Sequence, residues 1–174
     1  MTGNKIIIVL AMILVSSCVP GRMVMQSPDT TPIAIAEPGL PNPLLTPGSI
    51  DPRVTQANIR STICRKGGYT ASVRPPVSYT EPLKFSDIKL YGYSDRRASH
   101  YELDHLISLE LGGNPTDPRN LWPEPHNGQW NSYLKDKLEN RLHDLVCSGQ
   151  LSLAEAQQAI ATDWIAAYKK YVGK

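Results

Sequence analysis

The sequence predicts an α+β fold: two short strands joined by a loop, a helix directly after them, flanking helices, and a mainly helical C-terminal half. Three observations predict it. Tyr101, Leu103, His105 and Ile107 alternate with Glu102, Asp104 and Leu106, the period of a strand. A loop built on Gly112, Gly113, Asn114 and Pro115 separates that run from a second strand candidate, Asn120-Leu121-Trp122. Leu134, Leu138, Leu142, Leu145 and Val146 then recur at helical spacing from about Trp130, and Gly149 follows as a stop.

Along the chain, residues 1–17 read as a secretory signal: Lys5 supplies the positive start, residues 6–15 (IIIVLAMILV) are apolar, and Ser16 and Ser17 precede Cys18. The apolar run is too short for a permanent transmembrane helix. Residues 15–18 (VSSC) resemble a bacterial lipobox, which makes Cys18 the acylated first residue of the mature protein; ordinary cleavage and release is the alternative. Residues 18–52 hold eight of the fifteen prolines and few charges, the composition of a semi-extended tether. At about 3.1 Å per residue it reaches on the order of 100 Å.

The folded domain is expected over residues 53–174. Residues 53–64 carry a weak helical pattern, Lys66-Gly67-Gly68-Tyr69 is a turn, and residues 69–73 (YTASV) alternate like a strand. Arg74-Pro75-Pro76 breaks that run, a helix is expected from about Thr80, and Asp95-Arg96-Arg97 is a polar turn. At the far end, Ser152 and Glu155 form a capping box for a last helix with Leu153, Ala156, Ile160, Trp164 and Tyr168 on its apolar face.

At 174 residues there is room for one domain of ordinary size. The net charge of +2 does not announce a nucleic-acid binder, but its distribution is uneven. Residues 51–100 carry nine Lys/Arg against four Asp/Glu, and residues 101–174 carry seven against ten. A basic segment beside an acidic, metal-binding one suits a polyanion, and a solvated mixed surface has the same composition. With Cys18 lipidated, Cys64 and Cys147 remain, an even number for an oxidising compartment. Their bridge would close a loop worth about 4–5 kcal/mol by chain entropy; two buried free thiols are the alternative. No CxxC or Cys-His pattern suggests a zinc knuckle.

The chemistry concentrates in residues 101–131, YELDHLISLELGGNPTDPRNLWPEPHNGQWN. Phosphodiester hydrolysis needs a positioned water, a group to take its proton, and a cation for the charge that develops. His105 is the natural base, because a neutral imidazole accepts a proton near neutral pH. Asp and Asn oxygens without cysteine favour a hard ion, Mg²⁺ or Mn²⁺.

The Asp104-His105 pair, LELGG, NLW and the helix-opening Asn131 resemble the HNH nucleases of the His-Me finger (ββα-metal) superfamily. The wider pattern, TIC…GYT…VRPP, LGG…DPRNLWPEP, KDKLEN and VCSGQLSLAEAQQAIATDW, resembles small exported bacterial HNH-type proteins over most of residues 61–165. The resemblance implies an endonuclease on a ββα-metal core, acting on DNA or alternatively RNA. It implies that His105 activates water, that Asp104 and Asn131 hold one divalent ion, and that Asn120 fixes the His105 backbone. The family spacing from Asn120 lands on Gln129, so Asn127 and His126 are alternatives to Asn131, and Ser108 stands where the family has Pro.

Export implies the cell envelope, lipid-anchored on the periplasmic side, or secretion; no obligate protein partner is evident. The rival reading is a non-catalytic envelope lipoprotein that uses the same scaffold to bind nucleic acid or a partner. The remaining polar residues read as structural. Glu102 reads as a supporting partner of the site or as the solvent side of its strand, Lys135 and Glu139 form an i,i+4 pair with Lys135 or Lys137 as alternative phosphate contacts, His143 lies on a polar helix face, and Arg96 and Arg97 are surface residues or phosphate contacts. The three tryptophans read as core.

Overall fold

A computed structural model describes residues 39–173. The signal segment, Cys18 and the rest of residues 1–38 lie outside the described residues. Strands β1 (Tyr101–His105) and β2 (Leu121–Pro125) form a two-stranded antiparallel sheet, in register from Tyr101 opposite Pro125 to His105 opposite Leu121. Four α-helices accompany it among the described residues: α1 (Tyr69–Val73), α2 (Val77–Leu90), α3 (Ser132–Cys147) and α4 (Leu153–Tyr171). Pro123 and Pro125 fit β2 because each strand of such a ribbon has one unpaired edge, where a missing N–H costs no ladder bond.

Helices α3 and α4 pack on one another through Leu138, Leu142 and Val146 on one side and Ala156, Ile160 and Trp164 on the other. Each of the leucine, isoleucine and valine side chains contributes about 1.5–3 kcal/mol on burial. Ile59, Ile63, Ile107 and Leu111 join this core, and α2 covers the hairpin above a smaller cluster of Tyr91, Leu106 and Trp122. Helix α4 starts as its capping box requires: Ser152 Oγ accepts from Glu155 N at 3.2 Å, and a Glu155 carboxylate oxygen accepts from Ser152 N at 3.1 Å. A Cys64–Cys147 disulfide fastens the segment before α1 to the last residue of α3, with Cα atoms 5.5 Å apart.

Three local expectations change. Residues 69–73 form a helical turn, with Arg74 N donating to Thr70 O at 2.9 Å. Five residues are too few for alternation to decide between periods, and among the described residues no strand lies beside them to take up their backbone groups. Helix α2 begins at Val77, three residues earlier than expected, since Pro76 serves as its N-cap.

The third change concerns the tether, whose last residues belong to the packed body. Trp164 Nε1 donates to Gly39 O at 2.7 Å, and Thr46 Oγ1 donates to Leu121 O at 3.1 Å while bonding the Tyr91 hydroxyl at 2.5 Å. Asn42, Thr46 and Asp51 are buried. Proline-rich backbone cannot form a helix, but its remaining polar groups pair with the body it crosses. Among the described residues no helix is long and apolar enough to cross a membrane.

Candidate active site

Strand β1 sends neighbouring side chains to opposite faces. His105 is 3% exposed, and its Nε2 lies 3.0 Å from the carbonyl oxygen of Pro115. A carbonyl only accepts, so Nε2 must carry the proton, and the neutral ring keeps its basic lone pair on Nδ1. Among the described residues Nδ1 has no hydrogen-bond partner. Burial pushes the His105 pKa below its ordinary value, which keeps the ring neutral at pH 7.

Asn120 holds the loop that carries Pro115. Its Oδ1 accepts from Ile107 N at 2.9 Å and from Ser49 N at 3.3 Å, and its Nδ2 donates to Ile107 O and Asn114 O, each at 3.0 Å. The side chain is fully buried, so the four bonds satisfy the whole amide. The amide therefore reaches Ile107, two residues beyond His105, and steadies His105 through the chain between them. Gly113 allows this closeness: a Cβ there would stand 1.7 Å from Ile107 O and 2.8 Å from Asn120 Nδ2.

Asp104 faces the other way, into a charged cluster. Lys135, on the first turn of α3, is fully buried, and its Nζ donates to Asp104 Oδ2 at 2.5 Å, to His105 O at 2.9 Å and to Glu139. Glu124 stands opposite Glu102 in the sheet register, and one carboxylate oxygen from each of Glu102, Asp104 and Glu124 lies within 4.8 Å of the others. Glu124 is 1% exposed, and its Oε1 has no hydrogen-bond partner among the described residues.

Burial pushes Glu102 up to about 7 and Glu124 well above the usual carboxylate range. Burial would raise Asp104, but the charge and hydrogen bond of Lys135, with a hydrogen bond from Glu124, outweigh it, so Asp104 ends below that range. Lys135 is held well above the ordinary lysine value, since Asp104, Glu139 and Glu124 outweigh its own desolvation. Three hard oxygen donors, one of them on a side chain with an orphaned atom, fit Mg²⁺ or Mn²⁺.

Asn131 is the N-cap of α3. Its Oδ1 accepts from Leu134 N at 3.3 Å and its Nδ2 donates to Gly128 O at 3.0 Å, so both ends of the amide are engaged. Asn127 is exposed, and His126 bonds Ser132 Oγ through Nδ1 at 2.9 Å. Arg97 pairs with Asp95, and Arg96 donates to Ile88 O at 3.1 Å. His143 Nε2 contacts Ile63 O at 3.0 Å beside Cys147; the two sulfurs there are joined and offer no thiolate to a metal.

Four residues stand out that sequence reasoning set aside or passed over: Lys135, Glu139, Glu124 and Arg74. Lys135 lies three and seven residues before Leu138 and Leu142, on the buried stripe of α3, which was a signal of burial in the sequence. Glu139 is one helical turn further on. Arg74 is exposed, and its charge acts on both His105 and Asp136. No family model, curated protein or solved structure matches this chain.

Proposed function

We propose that the chain is an exported, metal-dependent HNH-type endonuclease that hydrolyses phosphodiester bonds in DNA or RNA, on a ββα-metal core made of β1, β2 and α3. The observation that carries this reading is the bond between His105 Nε2 and Pro115 O. It fixes one tautomer and reserves Nδ1 for a proton from water, which is the arrangement a general base requires. Asn120 keeps the bond in place by closing the loop on Ile107 and Asn114. A divalent ion held at Asp104 would lie across β1 from the His105 ring, and the chemistry it would supply is Lewis-acid stabilisation of charge on phosphate.

Export rests on the signal-like residues 1–17, with Cys18 as the lipid attachment point, and the Cys64–Cys147 disulfide suits an oxidising compartment. The test is to incubate the chain with plasmid DNA and, separately, RNA, in Mg²⁺ or Mn²⁺, with and without chelator. Cleavage that chelator stops is expected. One observation favours the rival, non-catalytic reading: Lys135 already gives Asp104 a cationic partner. Absence of cleavage with either ion and either substrate would decide for that rival.

A further inference from the structure

We infer that Glu102, Asp104 and Glu124 together form the divalent-cation site of this chain, with Lys135 as a fixed counterion behind it and Asn131 outside it. The inference rests on the endonuclease reading only for its choice of Asp104 and goes beyond it in naming the other ligands. Three features of the cluster carry it. The first is proximity: the three carboxylates come from facing positions of two paired strands, and one oxygen of each lies within 4.8 Å of the others. The spread of a hard-ion shell, with ligand distances of about 2.0–2.6 Å, spans such a group with little movement.

The second is the state of Glu124. Its side chain is almost wholly buried and hydrogen-bonds Asp104, while Oε1 has no partner among the described residues. A buried carboxylate oxygen without a donor is costly, and a cation removes the cost. The third is the charge count. Lys135 is one ammonium among four carboxyl groups, and its Nζ is taken up by Asp104, Glu139 and the His105 carbonyl, leaving no bond for Glu102 or Glu124. Asn131, in contrast, already spends its amide oxygen on capping α3.

The test is Mn²⁺ binding to the full chain, purified in detergent and followed by calorimetry and by electron paramagnetic resonance of the free ion. About one Mn²⁺ per chain is expected. Glu102→Gln and Glu124→Gln, which keep shape and remove charge, should each weaken binding by about tenfold or more. Asn131→Ser, which keeps an N-cap, should leave it unchanged within about twofold. Thermal melts of each variant confirm folding, and should Glu124→Gln fail to fold, the half-exposed Glu102→Gln gives the same reading alone.

Absence of Mn²⁺ binding in the parent chain overturns the site. Binding that survives Glu102→Gln, or that is lost in Asn131→Ser, overturns the ligand set. Metal binding lost in the Gln variants without any nucleic-acid cleavage by the parent leaves the site standing and removes the nuclease reading. Cleavage whose Mn²⁺ requirement is unchanged in both Gln variants does the reverse.

Discussion

The two halves of α3 do different work with the same helical geometry. From Leu138 onward its buried face is apolar and locks onto α4, where burial alone sets the energy. Its first turn buries Lys135 against β1, where the desolvation of an ammonium must be offset by Asp104, Glu139 and a carbonyl. The apolar half tolerates loss of shape in proportion to the cavity left. The charged half is all-or-nothing: remove the one cation and the surrounding carboxylates lose their compensation. Apolar residues in place of the whole cluster would hold helix to strand about as well, so the charged half is where function is to be sought.

That contrast breaks or sharpens under substitution. Lys135→Met should cost about 3–5 kcal/mol in denaturant unfolding, and added Mn²⁺ should restore part of it by replacing the missing charge. Leu142→Ala should cost about 2–5 kcal/mol with no response to Mn²⁺ beyond that of the parent chain. Equal Mn²⁺ responses in the two variants would erase the distinction between the halves.

A smaller effect concerns the hairpin side. Burial pushes the Tyr91 hydroxyl up to about 12, against the help that Thr46 gives to its ionised form. A tyrosine raised in the folded state stabilises below its unfolded pKa near 10 and loses that contribution as pH climbs toward about 12. Stability measured from pH 9 to 12 should therefore fall by on the order of 2 kcal/mol through this group, and Tyr91→Phe should flatten the fall. Smallest of all, Asn131→Ala should cost about 1 kcal/mol, the usual loss of an N-cap, as read by thermal melts.

Much of the hairpin and both long helices was legible in the sequence, since alternation around Asp104, leucine spacing after Trp130 and the Ser152–Glu155 box are local signals. The Cys64–Cys147 bridge followed from counting. Residues 69–73 misled because a five-residue run fits a strand and a helical turn equally well. Gly39, Asn42 and Thr46 were illegible for a different reason: their contacts with Trp164, Leu121 and Tyr91 are long-range, and composition around them is that of a linker.

The site divides in the same way. Asp104, His105 and Asn120 stand out by residue type and order. Lys135 and Glu139 read as an i,i+4 pair, and although the leucine stripe marked Lys135 for burial, that spacing does not state that the pair meets Asp104. Glu124 joins Glu102 and Asp104 only through the strand register, which no local pattern states.

The decisive comparison is nicking of plasmid DNA by the parent chain and by His105→Ala, in saturating Mn²⁺ and with thermal melts alongside. With His105 as the base whose Nδ1 is freed by Pro115, the variant should keep its fold and lose activity by about 10²–10⁴-fold. Cleavage at the parent rate by folded His105→Ala protein would contradict that role.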